Sequence, residues 1–142
     1  MTMANILIID DLPCVRQLIS EELFLEGYQV HSVGDIESVR EHLQFSQLDL
    51  VLLDLYLEGL EAFGLLEEIK RQHPYLPVVI VSAYDGFLHD PRLSQADGYV
   101  IKSICLDELK GKIADVLDRQ RDYRGTVEAE PRSPEVCLSR GF

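Results

Sequence analysis

The segment Leu48–Asp54, Leu-Asp-Leu-Val-Leu-Leu-Asp, decides the fold of this chain. Leu48–Leu53 is a short and mostly apolar run, and it stops at the carboxylate of Asp54. A run of this length and composition is typical of a strand that is covered on both faces, as in a parallel sheet with helices on each side. We therefore predict a buried strand over Leu48–Leu53 that places Asp54 at its carboxyl end.

Similar apolar segments lie on either side of this strand, and helical patterns separate them. The other predicted strands are Asn5–Ile9, Tyr28–Val33, Pro77–Val81 and Gly98–Ile101. The main predicted helices occupy residues 14–26, the residues after the N-cap Asp35, residues 61–72 and residues 106–121. Strands that alternate with helices form right-handed β-α-β units. We expect an α/β fold: a doubly wound, five-stranded parallel sheet with helices on both faces.

The first predicted helix has an apolar face and a clear stop signal. Gly27 follows the helical pattern and is expected to end it. Cys14 and Cys105 each follow a predicted strand, and we expect both to be buried, inert thiols rather than redox sensors. The residues predicted to face the sheet are Val15, Leu18, Ile19 and Leu23.

Length, composition and charge limit the possible functions. The 142 residues suit one domain, which we assign to residues 1–121, with residues 122–142 as a C-terminal tail and no independent domain. The net charge of −12 argues against nucleic-acid or membrane partners, because both require a basic surface. Three cysteines without a C-x-x-C pair, no signal peptide and no membrane-length apolar run favour a cytoplasmic location.

Polar residues stand at the carboxyl ends of four predicted strands. In open α/β sheets, ligands bind outside these strand ends. Because carboxylates that lie close together repel one another, such a cluster requires a proton or a cation, and Mg²⁺ is a natural choice for oxygen ligands. With an ammonium and a hydroxyl beside it, such a site suits phosphoryl transfer to an aspartate. The residues concerned are Asp10, Asp11, Asp54, Ser82 and Lys102.

In this order, these motifs resemble the receiver domain of two-component response regulators, the CheY-like family. The resemblance covers residues 4–121 and implies the flavodoxin-like strand order 2-1-3-4-5. The matching segments are Ile8-Ile9-Asp10-Asp11, Leu52-Leu53-Asp54-Leu55, Val81-Ser82-Ala83 and Asp97-Gly98-Tyr99-Val100-Ile101-Lys102.

The resemblance implies a metal site for Mg²⁺ or Mn²⁺ beside the phosphoacceptor Asp54. By this resemblance, Asp11 binds the metal directly, and Asp10 binds it mainly through water. Asp54 and the backbone carbonyl of Tyr56 complete the implied protein ligands.

The resemblance also implies a phosphorylation switch. Ser82 and Lys102 would contact the phosphoryl oxygens, and Tyr99 matches the aromatic switch residue, although ordinary core packing would equally account for it. The implied donor is a phosphohistidine on a sensor histidine kinase or a histidine phosphotransfer protein. The phosphorylated domain would signal to an unidentified protein target. It would not be an enzyme beyond its self-catalysed phosphoryl transfer and slow autodephosphorylation.

Several positions depart from the family pattern. Ser103 replaces the proline that usually follows the lysine, so we expect a trans Lys102–Ser103 bond. Tyr56 and Tyr84 flank the expected path of attacking water, which predicts slow self-hydrolysis. Proline fits a helix only near its first turn, so the fourth helix should be short, begin near Pro91 and have Asp90 as its cap. A short fourth helix argues against the usual dimer surface.

Two other function classes compete with the phosphoacceptor. One is a pseudo-receiver, an interaction scaffold with this fold but no phosphorylation, which the Ser103 departure and the altered fourth helix motivate. The other is a small phosphohydrolase or nucleotide-binding enzyme. Tyr56 stands where phosphatases of the haloacid dehalogenase class carry a second aspartate, and the chain has neither a G-x-x-x-x-G-K-[ST] nor a G-x-G-x-x-G loop.

Overall fold

A computed structural model describes residues 4–45, 47–57, 60–83, 89–102 and 106–129. In chain order, the strands of this part are β1 (Asn5–Ile9), β2 (Gln29–Val33), β3 (Leu50–Asp54), β4 (Tyr56–Leu57), β5 (Leu60–Glu61), β6 (Val78–Ser82) and β7 (Gly98–Ile101). The α-helices are α1 (Pro13–Leu25), α2 (Ile36–Phe45), α3 (Phe63–Gln72) and α4 (Asp107–Ala129), and a 3-10 helix spans Pro91–Leu93.

Five strands form one parallel sheet in the order β2-β1-β3-β6-β7. Strand β1 pairs on both sides, so that Ile8 lies opposite Ser32 of β2 and Leu52 of β3. Counted along the sequence, these five strands have the order 2-1-3-4-5, and the predicted fold class and order are confirmed. The strand bounds differ slightly from the predicted ones: β3 begins at Leu50 and includes Asp54.

The sheet separates two apolar cores, because successive side chains of a strand point to opposite faces. On β3, Val51 and Leu53 pack with residues of α2 and α3, whereas Leu50 and Leu52 pack with residues of α1 and α4. All four side chains are at most 1% exposed. Burial of one such side chain contributes about 1.5–3 kcal/mol, so this strand is a firm support for the aspartate at its end.

Local stop and cap signals predicted from the sequence are confirmed. Gly27 ends α1 with a φ of 99°, a conformation that favours glycine. A carboxylate oxygen of Asp35 accepts a hydrogen bond from the backbone N–H of Ser38 at 3.1 Å and caps α2. Asp90 caps Pro91–Leu93 in the same way, and this fourth helical segment is as short as predicted.

The predicted inner face of α1 is partly wrong. Ile19 and Leu23 are buried, but Leu18 is 49% exposed, and Cys14 is exposed rather than buried. Each residue of an α-helix is rotated by about 100° from the one before it, so a helix that turns Ile19 towards the sheet carries Leu18 towards solvent. Cys14 lies one turn before Leu18 on the same outward side. Cys105 lies outside the described residues.

The last helix is longer than predicted. It continues to Ala129 rather than ending at Arg121, so no change of element marks the predicted boundary between the domain and the tail. Once a helix has formed, each further residue adds a hydrogen bond, so a helix tends to continue until a residue interrupts it. The first proline after Arg121 is Pro131, so no proline interrupts the helix before Ala129. Among the helices of the described part, none combines the length and hydropathy needed to cross a membrane.

Candidate functional site

The carboxyl ends of four neighbouring strands meet at one edge of the sheet. Asp10 directly follows β1, Asp54 ends β3, Ser82 ends β6 and Lys102 directly follows β7. The pairing register keeps these ends level, since Asp54 lies opposite Val81, next to Ser82. The parallel sheet thus brings together residues that are far apart in the sequence.

Three carboxylates form a tight cluster at this edge. Asp10, Asp11 and Asp54 each offer an oxygen, and these oxygens all lie within 4.8 Å of one another. Asp10 and Asp54 are only 2% and 7% exposed, whereas Asp11 is partly exposed. The predicted convergence of the three aspartates is therefore confirmed.

Lys102 provides a positive charge inside the cluster. Its Nζ lies 2.9 Å from Oδ2 of Asp10 and 3.5 Å from Oδ2 of Asp54. Burial lowers the pKa of Lys102, but the hydrogen bonds and opposite charges of Asp10 and Asp54 more than offset this effect, so its pKa is raised above the usual value. The ammonium therefore stays protonated beside two carboxylates.

Asp10 is held by the backbone as well as by Lys102. Its Oδ1 accepts a hydrogen bond from the N–H of Leu12 at 2.9 Å, and its own N–H donates to the carbonyl of Val33 at 3.1 Å. Arg16, which the sequence analysis did not single out, donates from Nη1 to the Asp10 carbonyl at 2.6 Å. The sequence does not predict this contact, because an arginine near the start of a predicted helix can point in many directions.

Ser82 and Tyr99 occupy different surroundings. Ser82 is fully buried, and its carbonyl accepts a hydrogen bond from the backbone N–H of Lys102 at 2.7 Å, which holds the ends of β6 and β7 together. Tyr99 is partly buried and packs against the core that contains α2 and α3. This is the core packing considered for Tyr99, and its switch role stays a prediction.

The segment after Asp54 forms a short antiparallel hairpin that was not predicted. Tyr56 pairs with Glu61, and the N–H of Ala62 donates to the carbonyl of Leu55 at 2.6 Å. Ala62 follows the hairpin and is buried, and its φ of −93° is one that residues other than glycine adopt. The predicted metal contact of the Tyr56 carbonyl stays a prediction.

Other sequence departures lie outside the described residues. They include Ser103 with its predicted trans bond, Tyr84 and the stretch 86–88.

The cluster has the chemistry that a hard divalent cation requires. Three carboxyl groups lie together with the Lys102 ammonium beside two of them, and carboxylate oxygens are the preferred protein ligands of Mg²⁺. The partly exposed Asp11 leaves one side of the group open towards solvent, where Mg²⁺ can keep several of its waters. The residues therefore fit a Mg²⁺ site of the predicted kind.

Comparison with known proteins extends these observations. Residues 6–114 match the response regulator receiver domain family. The chain is 31% identical over 142 residues to the heme response regulator HssR of Staphylococcus epidermidis, covering 99% of this chain and 62% of HssR. It is 33% identical over 142 residues to the DNA-binding transcriptional regulator NtrC of Rhizobium meliloti, covering 99% of this chain and 29% of NtrC. The chain thus spans less than two thirds of either relative.

A solved structure agrees with the sequence comparison. The response regulator TrrA of Thermotoga maritima, crystallised with Mg²⁺ and BeF, superposes with a TM-score of 0.76 at 32% identity, covering 80% of this chain and 99% of TrrA. TrrA has also been crystallised in complex with the histidine kinase ThkA. The fold, the acidic cluster and the match over residues 6–114 lead to one conclusion: this chain belongs to the response regulator receiver domain family.

Proposed function

We propose that this chain accepts a phosphoryl group on Asp54 from the phosphohistidine of a sensor histidine kinase or a histidine phosphotransfer protein. The observation that carries the proposal is the clustering of Asp10, Asp11 and Asp54 within 4.8 Å, with the Lys102 ammonium against two of them. The co-crystal of TrrA with the kinase ThkA supports a kinase as the partner.

The proposed transfer needs no other nucleophile. A carboxylate oxygen of Asp54 bonds to phosphorus, the phosphorus–nitrogen bond of the donor breaks, and its electron pair returns to the imidazole nitrogen. Asp54 sits at the end of a buried strand, so its position is fixed before the donor arrives. Lys102 is protonated within 3.5 Å of Asp54 and can pair with the phosphoryl oxygens, and the Ser82 hydroxyl can donate to them.

Asp10 and Asp11 would hold the divalent ion, Mg²⁺ or Mn²⁺, together with Asp54 and the carbonyl of Tyr56. When bound, the ion would supply positive charge that offsets the charge of the phosphoryl oxygens. The TrrA structure with Mg²⁺ and BeF supports this choice of ion.

We propose that the signal leaves through contact with a protein target in the cytoplasm, with Tyr99 and Ser82 as the switch residues. A net charge of −12 disfavours direct contact with nucleic acid. NtrC is described as a DNA-binding transcriptional regulator, but this chain covers only 29% of the NtrC sequence.

The pseudo-receiver, a scaffold that is not phosphorylated, remains the second candidate. Ser103, in place of the proline that usually follows the lysine, is the observation that favours it. The two candidates differ in one measurable property, which is whether Asp54 forms an acyl phosphate.

The test is incubation with Mg²⁺ and acetyl phosphate, followed by intact-protein mass spectrometry. We expect the mass of one added phosphoryl group in the wild type and its absence in Asp54→Asn. Asp49→Asn is a matched control, because Asp49 lies before the same strand and instead accepts a hydrogen bond from the Asn5 N–H. An unmodified wild type with Mg²⁺ and with Mn²⁺ would favour the scaffold.

A further inference from the structure

Arg16 contacts the acidic site through the backbone. It lies in the first turn of α1 and is partly buried, and its Nη1 donates to the carbonyl of Asp10 at 2.6 Å. The proposed phosphoryl transfer assigns Arg16 no role. Its contact is nevertheless with the residue that directly precedes Asp11, the proposed metal ligand.

The contact completes a set of restraints on Asp10. The N–H donates to Val33, Oδ1 accepts from Leu12 and Oδ2 pairs with Lys102. With Arg16 on the carbonyl, the N–H, the C=O and both side-chain oxygens are all engaged. The peptide between Asp10 and Asp11 therefore has a defined orientation, which sets the direction in which Asp11 leaves the chain.

Gly34 provides the space that Arg16 occupies. A Cβ placed on Gly34 would collide with Nη1 of Arg16 and would lie 3.2 Å from its Cζ and 3.4 Å from the Asp10 carbonyl oxygen. Among the described glycines, only Gly27 has a positive φ, so an alanine would fit the backbone of Gly34. The small residue is thus required by the guanidinium and not by the chain conformation.

The same guanidinium also acts on the neighbouring helix cap. Hydrogen bonds from Ser38 are the main reason why the pKa of Asp35 is lowered, and the positive charge of Arg16 adds to this effect. Arg16 therefore lies between the loop after β1 and the loop after β2, next to the acidic cluster.

We propose that Arg16 is a positioning residue for the metal site: it fixes the Asp10–Asp11 peptide, and Gly34 keeps open the space that this requires. The inference rests on the proposed function, since it assigns to Arg16 the alignment of the two proposed metal ligands. Groups that orient metal ligands without touching the metal typically change metal affinity by about 10- to 100-fold when they are removed.

The first measurement is the Mg²⁺ dissociation constant, determined by calorimetry on the unphosphorylated chain. We expect Arg16→Met to raise it by about tenfold. Arg16→Lys retains the charge and a donor and should return it towards the wild-type value. Arg40→Ala is the matched control, because Arg40 pairs with Glu68 on the surface, and it should leave the constant unchanged.

A double-mutant cycle separates positioning from general damage. Gly34→Ala should displace the guanidinium and weaken Mg²⁺ binding about as much as Arg16→Met does. In the Arg16→Met background the same change should add nothing, because the group that it collides with is gone. Equal effects of Gly34→Ala in both backgrounds would overturn the proposal. If Arg16→Met does not fold, Gly34→Ala and Arg16→Lys still provide the comparison with the wild type.

A metal-free measurement distinguishes this proposal from the proposed function. Hydrogen exchange of the Leu12 amide, which donates to Asp10, should be faster in Arg16→Met and Gly34→Ala than in the wild type or Arg40→Ala. Failure of the wild type to bind Mg²⁺ would count against the proposed function, whereas unchanged exchange in both variants would overturn the positioning role by itself.

Discussion

The ammonium of Lys102 lies closer to Asp10, at 2.9 Å, than to the proposed phosphoacceptor Asp54, at 3.5 Å. Lys102 therefore partly neutralises one of the carboxylates that we assign to the metal. A divalent ion at this site and the ammonium attract the same oxygens and repel each other.

From this relationship we predict that Lys102→Met binds Mg²⁺ more tightly than the wild type but is phosphorylated more slowly. We expect a gain of roughly tenfold in Mg²⁺ affinity, equivalent to about 1.4 kcal/mol. Calorimetry and the rate of acetyl phosphate labelling measure the two effects. Lys112→Met, which removes a lysine from α4, serves as control. Weaker Mg²⁺ binding in Lys102→Met would contradict the competition.

The ion pair between Lys102 and Asp10 also predicts how the stability of the fold depends on pH. The pKa of Lys102 is raised above 10.5 on folding. The contribution of Lys102 to the free energy of unfolding is therefore fully present at any pH below the pKa that this lysine has in the unfolded chain. This contribution is lost as the pH rises through the higher pKa that Lys102 has in the folded chain. We expect the difference in unfolding free energy between the wild type and Lys102→Met to be constant near neutral pH and to change only above about pH 10. Urea unfolding across this range checks it, and a change near neutral pH would be inconsistent with it.

The buried strand that supports Asp54 predicts a stability difference between two leucines. Leu53 is fully buried beside Asp54, whereas Leu25 is 75% exposed at the end of α1. We expect Leu53→Ala to lower the free energy of unfolding by about 2–5 kcal/mol and Leu25→Ala to change it by less than about 0.5 kcal/mol. Chemical denaturation gives both values, and similar values would contradict the assigned core.

Tyr56 and Tyr84, which are predicted to flank the path of attacking water, should affect the lifetime of the phosphorylated form. From the sequence, bulky side chains at Tyr56 and Tyr84 should slow the loss of the phosphoryl group. We expect Tyr56→Ser and Tyr84→Ser to shorten the lifetime, measured as the decay of the phosphorylated mass after the donor is removed. A wild-type form that decays as fast as both variants would show that these tyrosines do not shield the phosphate.

The sequence predicted the fold and the convergence of the site residues well because the relevant signals are local. The four strands that carry the site residues are short, mostly apolar runs, and a polar residue marks where each of them ends, as at Asp54 and Lys102. Once a parallel sheet is inferred, these ends must lie at one edge, and no knowledge of long-range contacts is needed.

The errors arose where the answer depends on three-dimensional packing. Leu18 and Ile19 are equally apolar, and only the rotation of α1 against the sheet decides which one is buried. The contact between Arg16 and Asp10 depends on space left by Gly34, which lies on a different loop. The closer approach of Lys102 to Asp10 than to Asp54 likewise depends on side-chain positions that no sequence spacing encodes.

The most direct test of the central claim is to locate the acyl phosphate. The chain is labelled by a phosphorylated histidine kinase or acetyl phosphate in the presence of Mg²⁺, reduced with borohydride and mapped by peptide mass spectrometry. Because borohydride converts an aspartyl phosphate to homoserine, we predict this conversion at Asp54 alone, and none when EDTA replaces Mg²⁺. Conversion at Asp10 or Asp11 instead, or labelling that persists without a divalent ion, would contradict the account.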